Sequence, residues 1–369
     1  MKKDDAKKPG KINLELITFD PSDIQFLPDK VPNTNVGLYV PYGTYNDFPE
    51  VVNTLYFNSG TFASIVNSMC DYVAGSDIRF NDAVIAKLHF NKQNELKTLV
   101  KRCIFDKILM GGFCVKVIYN LNKEIAKIEW MDIRDVRLSV NTSKAYYALN
   151  FGKGRRGELQ VYSTMNHFTV GEDEHNHFTC LYYHRGRSRG IYPVPMYQGA
   201  LRSIQTDCEI NKFNLRAISS GLAAASIVNI PDGNSYTEDE KRTIERKFKD
   251  HFCGSDNADS FILAFNPSPD NKVEIERIED DAFADKYEVL SKLTIKNIFS
   301  AFRMSPVLAG YLQENIGFNR QEFVENFAIF NQTVIQPLQQ EIMDAFDDIF
   351  GIEGSLVIEP YKINPEINE

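Results

Sequence analysis

Few residue groups in this sequence have the types and spacing that chemistry needs. Gly152-Lys153-Gly154-Arg155-Arg156-Gly157 mixes glycine with cations, as a phosphate-cradling loop must. It lacks the Gly-Lys-Ser/Thr ending that reaches a terminal phosphate and its magnesium, so a hairpin tip is the better reading. Glu172-Asp173-Glu174-His175-Asn176-His177 offers carboxylates and imidazoles to a metal. In an extended chain His175 and His177 point to opposite faces, so both reach one ion only through a bend. His89, His167, His184 and His251 are isolated, none sits in a nucleophile elbow, and no carboxylate pair stands out from a solvated surface. Arg185, Arg187 and Arg189 belong to a loop that fits exposed solvation as well as contact with DNA or a scaffold. The sequence therefore predicts no catalytic, cofactor or metal site, and no enzyme.

Cys70, Cys103, Cys114, Cys180, Cys208 and Cys253 are scattered, without a C-x-x-C pair, mostly in apolar runs. That pattern predicts buried free thiols in a reducing compartment. The charged start Met1-Lys2-Lys3-Asp4-Asp5 is not followed by an apolar signal region, and no apolar run approaches a membrane span. A soluble protein made in a cytoplasm is expected. With 369 residues, 43% of them hydrophobic, the chain can bury a sizeable core in two or three compact units. Its net charge of -9 argues against tight nucleic-acid binding, which needs a basic footprint.

The elements that must position these residues read as an α+β chain. Residues 1 to 45 are polar, proline-dotted and without clear periodicity, and form an arm. Helical periodicity runs from Pro49 to Ala74, broken at Asn58-Ser59-Gly60, and again from about 92 to 110, stopping at Gly111-Gly112. The period then changes to that of strands at 113–119, 125–131, 136–140, 146–151, 159–162 and 178–183. After Tyr192-Pro193-Val194-Pro195 comes a long helix whose Leu201, Ile204, Cys208, Asn211, Leu215 and Ile218 form one seam. Ile210, Phe213 and Ala217 make a second stripe, so this helix packs on more than one side. An insertion follows: a strand at 225–230, a capping box Thr237-Glu238-Asp239-Glu240 opening a charged helix, and strands at 261–265 and 273–278. A second long helix spans 281–303. A third spans 319–350 with Pro337 inside it, which predicts a kink, and Leu356-Val357-Ile358 is a final strand.

The order of these elements, with particular residues in them, resembles the phage portal family of tailed phages with HK97-type capsids. Tyr192-Pro193-Val194-Pro195 enters a long helix carrying Glu209 and Asn211, and the insertion holds Pro231-Asp232-Gly233. Ile298 through Gly310, including Met304-Ser305-Pro306, is similar to that family's helix end, proline and apolar-glycine step. Asn319 and Glu322 then open a helix containing Ile335-Gln336-Pro337-Leu338. The resemblance covers about residues 45 to 350 and is strongest from 192 to 340.

It implies a portal fold assembled as a ring: an arm (1–45), an α/β wing (46–193), stem helices (194–220 and 281–303), an inserted clip (221–280), a tunnel loop (304–318), a wing helix (319–350) and a C-terminal segment (351–369) with a reduced or absent crown. It also implies a channel at one capsid vertex for double-stranded DNA packaging and ejection, in a virion assembled in a host bacterial cytoplasm. The implied partners are further copies in a ring, usually twelve, the terminase large subunit, a head-tail adaptor, a major capsid or scaffolding protein, and DNA passing without sequence specificity; no membrane is implied. Lys292, Lys296 and Arg303, on the polar side of the second stem helix or at its end, and Gln313, Glu314 and Asn315 in the loop, are channel-facing candidates. Arg242, Arg246, Lys247 and Lys249 are clip candidates for docking a partner, although mixed charge on a helix also serves solubility. The alternatives are another head-tail connector or minor capsid protein, or an oligomeric enzyme with a divergent site in the 113–190 sheet region.

Overall fold

Helix ends set by local chemistry organise the first half of the chain. The structure, a computed structural model, describes residues 38–88, 90–149, 151, 156–219, 226–230, 236–237, 239–244, 261–265, 283–311 and 320–361. Helices α1 (Phe48–Asn58) and α2 (Gly60–Ala74) part at Ser59, where the sequence placed the break. The Ser59 hydroxyl accepts the Phe62 N–H at 3.1 Å, an N-cap that satisfies one orphan donor of α2. A short strand β1 (Asp77–Phe80) and helix α3 (Asp82–Lys87) lead to α4 (Gln93–Met110). Helix α4 stops at Gly111, whose φ of +85° is the left-handed conformation that favours glycine.

Six strands follow: β2 (Phe113–Tyr119), β3 (Ile125–Met131), β4 (Val136–Leu138), β5 (Lys144–Leu149), β6 (Arg156–Ser163) and β7 (Thr179–His184). They make two antiparallel sheets, ordered β3-β2-β7 and β4-β5-β6. The run read at 136–140 is shorter in the structure, and that at 159–162 longer. Of the Gly152–Gly157 run, Arg156 and Gly157 open β6 and the rest lies outside the described residues.

The second half holds α5 (Leu201–Ser219), β8 (Ser226–Ile230), β9 (Phe261–Phe265), α6 (Phe283–Ala301), α7 (Arg320–Phe330), α8 (Gln336–Phe350) and β10 (Leu356–Glu359). Strands β8 and β9 pair in parallel, which requires a crossover between them. Within that crossover the Thr237 N–H bonds Glu240 Oε2 at 2.8 Å, the Glu240 N–H bonds Thr237 Oγ1 at 3.4 Å, and residues 239–244 are helical. The strand expected at 273–278 lies outside the described residues. Strand β10 pairs antiparallel with β1, with Ile78 opposite Ile358. Four residues of β1 were too few to show a period in the sequence.

The kink expected at Pro337 takes another form. Residues Asn331–Ile335, just before it, adopt a π-helical turn, and Pro337 sits in the first turn of α8. A proline ring clashes with the carbonyl four residues earlier, here that of Thr333. The wider turn moves this carbonyl away while Phe330, Val334, Ile342 and Phe346 all stay buried.

One contiguous core runs from Val40 to Ile358. Phe346 of α8 meets Phe80 of β1 and Phe113 of β2, with ring centroids 5.7 and 6.3 Å apart. Arg137 is fully buried, and its guanidinium donates to the carbonyls of Asn46, Arg134 and Val136 and to Asn46 Oδ1. Those bonds fasten the loop before α1 to β4. The Tyr192 hydroxyl reinforces them by donating to the Val40 carbonyl and accepting the Leu138 N–H.

Candidate assembly surface and channel lining

Helices α5 and α6 pack side by side where both enter the core. Leu201, Ile204 and Cys208 from α5 and Ile298 and Phe299 from α6 are buried there. Just past the end of α6, Phe302 stacks on Tyr197 with centroids 5.0 Å apart, and Phe62 of α2 lies 6.0 Å from Phe302. The Ser59 hydroxyl that caps α2 also donates to the buried carboxylate of Asp207 at 2.6 Å, tying α2 to α5.

Away from this base the pair emerges from the protomer. The α5 seam passes from buried Cys208 to Leu215, which is 66% exposed, and Phe213 of the second stripe is also exposed. On α6, Val289, Leu290 and Leu293 are 66%, 47% and 51% exposed. Val289, Leu293 and Lys296, at helical spacing, share the face opposite buried Thr294 and Ile298. Apolar residues thus occupy the outward as well as the inward side of this helix.

Of the channel candidates, Lys292 and Lys296 lie exposed on α6, and Lys292 bonds Glu288 one turn earlier at 2.5 Å. Arg303 lies beyond the helix. Its N–H bonds the Ser300 carbonyl, and the Met304 N–H bonds that of Phe299, closing a Schellman motif with Arg303 at the left-handed position (φ 56°). Lys292 and Lys296 thus lie along α6, and Arg303 lies at its C-terminal end. Gln313, Glu314, Asn315, Arg246, Lys247 and Lys249 lie outside the described residues. Arg242 lies on the helical turn opened by the Thr237 cap.

Sequence reading missed a buried polar centre beside the stem base. Glu341 of α8 accepts from Lys107 of α4 at 2.5 Å and lies 3.0 Å from His184 Nε2 of β7. Burial raises the Glu341 carboxyl, but the bonds and charges of His184 and Lys107 outweigh it and hold the group at about 2. The pair is uneven. Burial lowers Lys107 more than its single carboxylate restores, and nearby Arg187 adds to the lowering. Lys107 also donates to the Gly111 carbonyl at 3.1 Å. The three side chains lie far apart in sequence with no shared motif, so no spacing could have revealed them.

The acidic and histidine run at 172–177 forms a turn. The Asp173 carboxylate accepts the N–H groups of His175 and Asn176, and Lys144 Nζ lies 2.9 Å from His175 Nε2. Among the described residues no three His, Cys, Asp or Glu side chains converge on a metal position. Cys103, Cys114, Cys180 and Cys208 are buried free thiols, Cys70 is partly buried, and Cys253 lies outside the described residues. Burial pushes the Cys70 and Cys180 thiols up to about 12 and Cys208 to about 11, far from a nucleophilic thiolate near neutrality. Among the described residues no helix is long and apolar enough to cross a membrane.

No protein-family model and no curated protein matches the chain. Solved structures do match. One is an HK97-family phage portal protein from Corynebacterium diphtheriae, at 9% identity and a TM-score of 0.47, covering 83% of this chain and 95% of that one. Another is the neck of an empty gene transfer agent particle (13% identity, TM-score 0.48, 87% of this chain and 85% of that one). A third is the neck of a native gene transfer agent particle, computed with C12 symmetry (13% identity, TM-score 0.46, 84% and 83%).

Proposed function

We propose that this protein is a portal subunit, one of a ring of copies that forms the channel for double-stranded DNA at a capsid vertex. The observation that carries the reading is the α5–α6 pair. It brackets an inserted parallel β unit, is rooted in the core at one end, and carries apolar residues on its outward face at the other. A heterologous ring interface needs one face of each subunit to fit a different face of its neighbour. An outward face with Val289 and Leu293, on a helix that already buries its other side, supplies such a second surface.

In this reading residues 46–193 with 319–350 form the wing, 194–220 and 281–303 the stem, 221–280 the clip that docks terminase and then an adaptor, and 304–318 the tunnel loop. Net negative charge suits a conduit, because each phosphate neutralised by a lysine or arginine adds salt-dependent binding that slows sliding. Lys292 and Lys296 are transient phosphate contacts, with Lys292 tempered by Glu288. Gln313, Glu314 and Asn315 line the constriction, and Arg242, Arg246, Lys247 and Lys249 steer the docking partner. The protein carries out no chemistry of its own, and the packaging motor supplies the energy.

The test is the double variant Val289→Glu/Leu293→Glu, measured by light scattering and thermal melting. The proposal expects the wild type to assemble into one large closed oligomer and the variant to remain monomeric while still melting in one cooperative transition. An unchanged oligomer in the variant would remove the stem from the interface.

A further inference from the structure

A cleft of about 520 Å³ lies where the end of α6 meets the wing. Its charged lining is Lys107, Arg187, Arg303 and Glu341, three cations to one carboxylate. Glu341 is already engaged by Lys107 and His184, whereas Arg187 and Arg303 make no ion pair among the described residues. The rest of the wall is largely apolar, with Ile108, Val194, Met196 and Leu338. The floor is fixed by glycines: a β-carbon on Gly186 would stand 2.5 Å from Lys107 Nζ, and one on Gly111 2.5 Å from the Val194 carbonyl oxygen. Arg303 reaches the cleft from a left-handed backbone position where glycine would cost less, and such outliers persist where the side chain is needed.

A cationic cleft with apolar walls fits an anionic, apolar peptide better than a nucleic-acid backbone, which has no aliphatic surface to bury. The sequence contains such a peptide. Residues 12–29 hold no lysine or arginine, and Glu15, Asp20, Asp23 and Asp29 alternate with Leu16, Ile17, Phe19, Ile24, Phe26 and Leu27. The described chain begins at Leu38 and within five residues touches the segment that leads into the cleft wall. Val40 accepts from Tyr192, and the Tyr42 hydroxyl bonds the carbonyl of Pro193 at 3.2 Å, next to Val194 of the cleft wall. The nine residue steps from Asp29 to Leu38 span at most about 30 Å, enough to turn back onto it.

We propose that the Lys107–Arg187–Arg303 cleft is the docking site for residues 15–29 of the same chain, with the acidic side chains on the two arginines and Phe26 or Leu27 against Val194 and Leu338. This goes beyond the portal reading and stands or falls without it. The test places the photo-crosslinker p-benzoylphenylalanine at Phe26 in the full-length chain, irradiates an equal mixture of isotope-labelled and unlabelled protein, and maps the crosslinked peptides. The expected crosslinks join residue 26 to residues 187–196 or 333–341 of the same copy. Arg187→Glu/Arg303→Glu lowers their yield roughly fivefold, the scale of two partly exposed ion pairs, and adding Asp20→Lys/Asp23→Lys restores it. Arg303→Gly, which suits the backbone, gives a partial loss in a fully folded protein. Crosslinks outside the cleft, crosslinks between labelled and unlabelled copies, or a yield indifferent to the arginines would each overturn the proposal.

Discussion

At Gly111 and Gly112 two backbone segments come too close for any side chain. A β-carbon on Gly112 would stand 2.2 Å from the His184 carbonyl oxygen, and one on Gly111 would in addition need a positive φ. Gly112→Ala is expected to destabilise by about 3 kcal/mol, the upper range for forced overpacking, measured by urea denaturation. The dipeptide was legible as a helix stop, but its second role was not, because the opposing carbonyls come from residues more than seventy positions later. Glu341 carries a pH dependence of definite sign. Its carboxyl is depressed from an ordinary 4.5 to about 2, so its contribution is present above about 4.5 and is lost as pH falls toward 2. That contribution is roughly 3 kcal/mol. Glu341→Gln should therefore lower the melting temperature most at neutral pH, where Lys107 also loses its counter-charge, and much less near pH 2. Equal destabilisation at both would contradict the assignment. Arg137→Leu, which strands the carbonyls of Asn46, Arg134 and Val136, should cost about 3 kcal/mol and expose the segment before α1 to limited proteolysis.

Elements with strong local signals were the most legible. The Ser59 break, the Gly111 stop, the Thr237 capping box and the period change at Phe113 each rest on interactions within a few residues, and each is present in the structure. The π-turn before Pro337 was foreseen only as a kink. Proline states that the ladder must break, whereas the form of the break depends on which side chains the core holds on either side. Strand β1 was missed because its partner β10 lies almost 280 residues away and its four residues show no period. The seam of α5 was visible in the sequence, but not its passage from buried Cys208 to exposed Leu215. The Val289→Glu/Leu293→Glu variant addresses the exposed apolar face of the neighbouring helix α6.

For the whole molecule, the α+β character and the long helices around an inserted unit were readable, since both follow from the order of periodicities. A ring is an expectation of the resemblance alone, because the angle between neighbours that closes a ring depends on surface shape that no periodicity encodes. The candidate site divides along the same line. Lys292 and Lys296 are exposed on α6, and Arg303 lies two residues past its end, held by the helix-terminal turn rather than by the helix. The central claim is that copies of this chain close around an open channel. Electron microscopy of the purified, concentrated protein tests it most directly. The account predicts rings with a central opening wide enough for duplex DNA, with the α5–α6 pairs packed against one another around it. A small closed oligomer without a channel at any concentration would contradict it.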